Sequence, residues 1–178
     1  MIQLHSMRNI RKSAGFTLME LLVVIAILGV LIVAGLGSFT SSQKKSRDVR
    51  RKNDLRQISL AMETYYNDFG AYPESDVSTN QIKGCGIDGQ QLCEWGDPWK
   101  KTPASGAPTV YMIALPSDPQ SGRSYYYESD GSYFKLYASL ENELDTGAGI
   151  NQSGYGTRIC GGTYSCTYGI SSTNVAIE

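Results

Sequence analysis

The chain of 178 residues holds a single histidine, His5, at its far N-terminal end. The rest of the chain has no imidazole to act as a general base. No serine, cysteine or carboxylate cluster has a base at a spacing that implies a nucleophile pair. Enzymatic activity is not expected. Cysteine is scarce too, with only Cys85, Cys93, Cys160 and Cys166 and no CxxC redox pair. Intervals of seven and five residues suit zinc knuckles poorly. An even count beyond an apolar segment points to disulfides, with three pairings open. Cys85–Cys93 and Cys160–Cys166 are favoured because each pair brackets a short glycine-containing loop; a four-cysteine zinc site is the alternative. Charge is missing from residues 21–43, and proline and glycine are missing from residues 38–69.

The net charge of −1 conceals a division along the chain. Residues 1–15 carry +3 through Arg8, Arg11 and Lys12, and residues 16–43 carry only Glu20. Residues 44–56 carry +5 and residues 57–178 carry −8. At ~1.5 Å per helical residue, the segment 16–38 is long enough for a hydrocarbon core of ~30 Å. A basic stretch before an apolar run also describes a removable secretory signal. Three features oppose that reading. Glu20 lies inside the run, where a carboxylate costs roughly 2.5–3.5 kcal/mol. The run exceeds the roughly 7–15 residues of a signal core. The helical pattern also continues past any cleavage site.

Residues 15–37, GFTLMELLVVIAILGVLIVAGLG, resemble the segment that prepilin peptidase recognises in type IV pilins and type II secretion pseudopilins. The resemblance implies a leader, residues 1–15, that is cut between Gly15 and Phe16, with the new amine of Phe16 methylated. It also implies a functional Glu20. Its carboxylate, costly in an apolar setting, finds a natural partner in the Phe16 amine of a neighbouring subunit; a snorkelling or protonated Glu20 is the alternative. Many pilins carry a proline late in this segment; glycines Gly29, Gly35 and Gly37 stand here instead. Local melting around residues 35–37 is expected in the filament, alongside close helix packing through small residues. The positive-inside rule alone would place residues 44–56, with their seven bases, in the cytoplasm. The resemblance places the leader inside and exports the head.

Residues 39–70 read as a continuation of the helix. Leu55, Ile58, Met62, Tyr65 and Phe69 fall on one face, and Gly70 and Pro73 end it. The basic residues Lys44, Lys45, Arg47, Arg50, Arg51, Lys52 and Arg56 allow three readings: contact with acidic heads of neighbouring subunits, plain solvation, or DNA binding. Residues 71–109 read as loop, with Trp95 and Trp99 as packing anchors. A short strand or turn is expected at 110–115, followed by LPSDP at 115–119. That element resembles one in major pseudopilins, although the tryptophan and glycine that usually follow are absent. Strands at 125–128 and 133–140 flank an Asp-Gly turn and predict a hairpin. Phe134, Leu136, Ala138 and Leu140 should face the helix, with Tyr133, Lys135 and Tyr137 on the other side as strand formers with polar tips. Residues 141–178 are expected to form a loop with little regular structure, pinned by Cys160–Cys166.

The expected fold is therefore α+β: the type IV pilin fold, a long N-terminal helix packed on a small antiparallel sheet with disulfide-pinned loops. No cofactor is required. Related pseudopilins bind calcium in this part of the head, and Glu141, Asn142, Glu143 and Asp145 are the candidate ligands; a solvated loop is the alternative. The expected function is that of a subunit in an extracellular type IV pilus-like filament. Its partners would be copies of itself, prepilin peptidase, the pilus assembly platform and its ATPase, and the inner membrane before assembly. A type II secretion pseudopilin and a minor tip subunit acting as adhesin or DNA binder are the alternatives.

Overall fold

The computed structural model describes residues 15–177. The basic leader therefore lies outside the described residues, apart from Gly15. One helix, α1, runs Leu18–Phe69. Contacts divide the chain into two units between Thr40 and Ser41, so the amphipathic part of α1 belongs with the head rather than forming a separate stem.

In the first unit the helix is apolar on every side. Leu21, Val24, Ile25, Leu28 and Leu31 are all exposed. Among the described residues no helix is long and apolar enough to cross a membrane. The helix continues through Gly29, Gly35 and Gly37. The Thr40 hydroxyl donates to the Gly37 carbonyl at 3.0 Å, a back-bond of the kind that loosens helices locally.

In the second unit, α1 ends at Gly70. This residue has φ +72°, and its N–H donates to the Tyr66 carbonyl at 2.7 Å. Glycine adopts that left-handed conformation without the steric penalty of a side chain. The remaining chain forms eight strands: β1 (Glu74–Ser75), β2 (Ile82–Ile87), β3 (Gln91–Leu92), β4 (Trp99–Thr102), β5 (Thr109–Met112), β6 (Tyr126–Ser129), β7 (Phe134–Ala138) and β8 (Tyr168–Ser171). One sheet has the order β1-β2-β4-β5, with β3 paired to β2; the other is β6-β7-β8. The pairings are antiparallel except β2–β4.

Leu55, Ile58, Met62 and Tyr65 of the helix join Trp99, Tyr125, Tyr127, Phe134, Leu136, Ala138 and Leu140 in the main core. The expected hairpin is present, with Tyr127 opposite Leu136. Trp99 is fully buried and its indole donates to the Gly84 carbonyl at 3.3 Å; Trp95 packs edge-on against Tyr125. Both tryptophans are anchors.

Three expectations need correction. Residues 71–109 are not simply loop, because they carry β1 to β4. The C-terminal segment is not simply loop either, because β8 completes the second sheet through Ala138↔Tyr168 and Leu136↔Ile170. The outward face of β7 is also covered: Tyr137 is fully buried with Tyr155, Cys160 and Cys166, and Lys135 is buried as well. The C-terminal segment supplies that cover. It passes close to the sheet at Gly149 (φ +73°), where an added Cβ would lie 2.2 Å from the Gly169 carbonyl oxygen. Both favoured disulfides, Cys85–Cys93 and Cys160–Cys166, are formed.

Candidate assembly segment and the ionic clamp of the head

Gly15, Phe16 and Thr17 precede the first helical turn. A Cβ added at Gly15 would meet nothing within 4 Å, and Phe16 is 76% exposed. Among the described residues, the bond between them stands clear of other chain segments, as a protease substrate must. Thr17 caps the helix: its hydroxyl accepts the Glu20 N–H at 3.2 Å, and its carbonyl accepts the Leu21 N–H at 3.2 Å. Thr17-Leu-Met-Glu20 is thus the Thr-x-x-Glu pattern of a capping box. This signal is local and legible in the sequence as Thr17 and Glu20 three residues apart. The carboxylate sits in the first turn, where the helix dipole favours a negative charge. Glu20 therefore has a local role as well as the intermolecular one expected for it.

Three of the seven bases, Arg47, Arg51 and Lys52, pair within the head itself, a role outside the three readings of the basic run. Arg51 is fully buried. Its Nε and Nη2 grip the two oxygens of Asp118, each at 2.8 Å, and its Nη1 donates to Asp48 at 2.8 Å and to Glu141 at 2.7 Å. Arg47 holds both oxygens of Glu141, at 2.7 and 2.6 Å. The Asp48 carboxylate accepts the backbone N–H groups of Glu141 and Asn142 at 2.8–3.1 Å. Lys52 reaches Asp145 at 2.7 Å. The helix between Arg47 and Lys52 thereby fastens two loops, the LPSDP element through Asp118 and the segment after β7 through Glu141 and Asp145. Nearby, the Tyr125 hydroxyl donates to Asp54 at 2.6 Å, and Arg50 stands 3.8 Å from the same carboxylate. Lys44, Lys45 and Arg56 remain exposed.

The electrostatics follow from this geometry. Burial alone would lower the Arg51 pKa, but the hydrogen bonds to Asp118 and Glu141 outweigh it and raise the value further. Hydrogen bonds from Arg47, opposed by burial and reinforced by Arg51, hold the Glu141 carboxyl at about 2, against an ordinary 4.5. The Glu141 side chain is only 7% exposed. At 1.36 kcal/mol per tenfold change in affinity, this depression contributes about 3 kcal/mol to folding. A lowered carboxylate pKa gives stability that is complete above pH 4.5 and is lost as the pH falls toward 2. Thermal melts between pH 6 and pH 2 should show that loss. Glu141→Gln should flatten the profile in that window while lowering stability at neutral pH.

Two of the candidate calcium ligands Glu141, Asn142, Glu143 and Asp145 are engaged by cations of the head. Glu141 is taken by two guanidinium groups and Asp145 by an ammonium. Among the described residues, no group of three or more His, Cys, Asp or Glu is placed to hold a metal.

Residues 10–36 match the family model described as the prokaryotic N-terminal methylation motif. Over 130 residues the chain is 32% identical to type II secretion system core protein G of Pseudomonas aeruginosa, covering 72% of this chain and 83% of that protein. Over 143 residues it is 28% identical to the core protein G of Escherichia coli, covering 79% of this chain and 90% of that protein. Type IV major pilin protein PilA of Myxococcus xanthus matches over 63 residues at 29% identity, covering 35% of this chain and 29% of the pilin. No solved structure gives a significant match. The motif accounts for the assembly segment, and the similarity to the G proteins runs on through the head; the chain belongs to the type IV pilin and type II secretion pseudopilin family, and it is a structural filament subunit, not an enzyme.

Proposed function

We propose that this chain is the repeating subunit of a type II secretion pseudopilus, a short filament that drives protein export. The observation that carries this reading is the extent of likeness: the core G proteins are matched over most of their length, the pilin over a minor part. LPSDP in its clamped position supports it, since the conspicuous part of that element, Asp118, is the residue that Arg51 grips. The absence of the following tryptophan and glycine favours the second reading, an extracellular pilus used for adhesion or motility. DNA binding is less well supported than the basic run suggested, because Arg47, Arg51 and Lys52 are neutralised within the head.

The precursor is anchored in the inner membrane by residues 16–38, with the leader in the cytoplasm. Prepilin peptidase cuts between Gly15 and Phe16, the amine is methylated, and the assembly platform and its ATPase feed the subunit into the filament. Within the filament, the Glu20 carboxylate pairs with the Phe16 amine of a neighbour. The exposed apolar surface of the first unit supports burial against lipid and then against other helices. Deletion of the gene in its own host tests the reading. The expected result is loss of exported proteins from the medium, restored by the wild-type gene. Unchanged export together with loss of long surface fibres would favour the pilus instead.

A further inference from the structure

The loop at residues 141–145 carries carboxylates and backbone carbonyls, the oxygens that a hard divalent cation selects. In this head they already face internal donors. Asp145 Oδ2 accepts from Lys52 Nζ at 2.7 Å. The carbonyls of Asn142 and Asp145 converge on a single atom, Gln152 Nε2, at 3.2 and 2.8 Å. Both oxygens of Glu141 are held by Arg47, and one of them also by Arg51. Glu143 is exposed and stands outside this set.

We propose that the Lys52 ammonium and the Gln152 amide together stand in for a divalent cation, so that the head fixes this loop without calcium. A cation bridging carbonyls and a carboxylate does two things: it neutralises the carboxylate, and it gives the converging carbonyl oxygens a common positive partner. Lys52 does the first here and Gln152 the second. The orientation of the amide is set by its neighbours, because two carbonyls can only accept and so require the nitrogen between them. Calcium would have to expel Lys52, which also lies 5.6 Å from the centre of the Tyr168 ring, and turn Gln152 so that its oxygen faces inward. Both moves give up contacts already made. These contacts would fix the loop in the same way in a pilus and in a secretion filament, independently of the proposed function.

The test uses the full chain in detergent, with thermal melts in a chelator and in excess calcium chloride and direct calcium binding by titration calorimetry. The wild type should melt at the same temperature in both conditions and show no binding heat. Saturation by a ligand at ~100 times its Kd would raise Tm by roughly 5–10 °C in a chain of this size, so a response of that size in the wild type overturns the proposal. A Lys52→Ala, Gln152→Glu variant frees the Asp145 carboxylate and places a second one against the carbonyls; its Tm should rise with calcium. A variant that folds and does not respond would also overturn the assignment of these two groups. Should it fail to fold, the wild-type calorimetry still decides.

Discussion

Replacing Arg51 with methionine should destabilise the head by about 3–5 kcal/mol, the range for removing one partner of a buried ion pair. In a chain of this size that corresponds to a fall in Tm of roughly 6–20 °C. The reason lies in what is left behind. Asp118 and Asp48 have side chains that are 1% and 2% exposed, and Glu141 is 7% exposed. Methionine fills much of the volume but leaves these carboxylates without a common cation, and Arg47 reaches only Glu141. The pH dependence separates lost charge from lost packing. Without Arg51 the stranded carboxylates gain pKa on folding, so the variant should recover some stability as the pH falls from 7 toward 5. The wild type, in which burial raises the Asp54 carboxyl, should gain less over that range. Arg51→Lys should also fail, because one ammonium cannot grip Asp118 through two parallel bonds while reaching Asp48 and Glu141. Adding Asp118→Asn to Arg51→Met should restore part of the loss. A melt of Arg51→Met within about 2 °C of wild type would show that the clamp contributes little to stability.

The importance of Arg51 was hidden in the sequence by distance. Its partners Asp118 and Glu141 lie 67 and 90 residues away, and a lone carboxylate that far along the chain gives no local signal. Read locally, seven bases in thirteen residues look like a solvated or phosphate-binding face. The features that were legible are those encoded over short range. The three- and four-residue steps of Leu55, Ile58, Met62 and Tyr65 gave the buried face of the helix. Asp130-Gly131 gave the β6–β7 turn, and the bracketed loops gave both disulfides. Strand β2 is not legible because Ile-Lys-Gly-Cys-Gly-Ile has no clean alternation and includes two glycines. Its parallel partner β4 comes a dozen residues later and is four residues long. Strand β8 is a short stretch in a region rich in glycine, serine and threonine. It forms because β7 offers it a free edge, which is a property of the tertiary fold.

Glu20 carries the largest expected functional effect, and the structure sharpens how to measure it. An acid at this position has two claims on it: the third place of a Thr-capped helix, and the proposed ion pair with the amine of another subunit. Glutamine satisfies the first, because the capping pattern accepts Glu or Gln. It removes only the charge. Glu20→Gln should therefore be cut between Gly15 and Phe16 at a normal rate and keep its first helical turn, yet fail to assemble filaments. An unpaired Phe16 cation left in an apolar helix bundle costs roughly 2.5–3.5 kcal/mol by insertion scales, or about a hundredfold in the equilibrium for adding one subunit. That penalty recurs at every step of the polymer. Thr17→Ala makes the opposite cut. It removes the cap, worth about 1 kcal/mol, and leaves both charges in place, so filaments should still form. Sheared-filament yield set against processed subunit in the cell, measured for both variants, distinguishes the two roles. Assembly by Glu20→Gln at the wild-type level would assign the acid to the helix cap alone. Loss of assembly in Thr17→Ala but not in Glu20→Gln would make the ordered first turn, rather than the ion pair, the requirement for polymerisation.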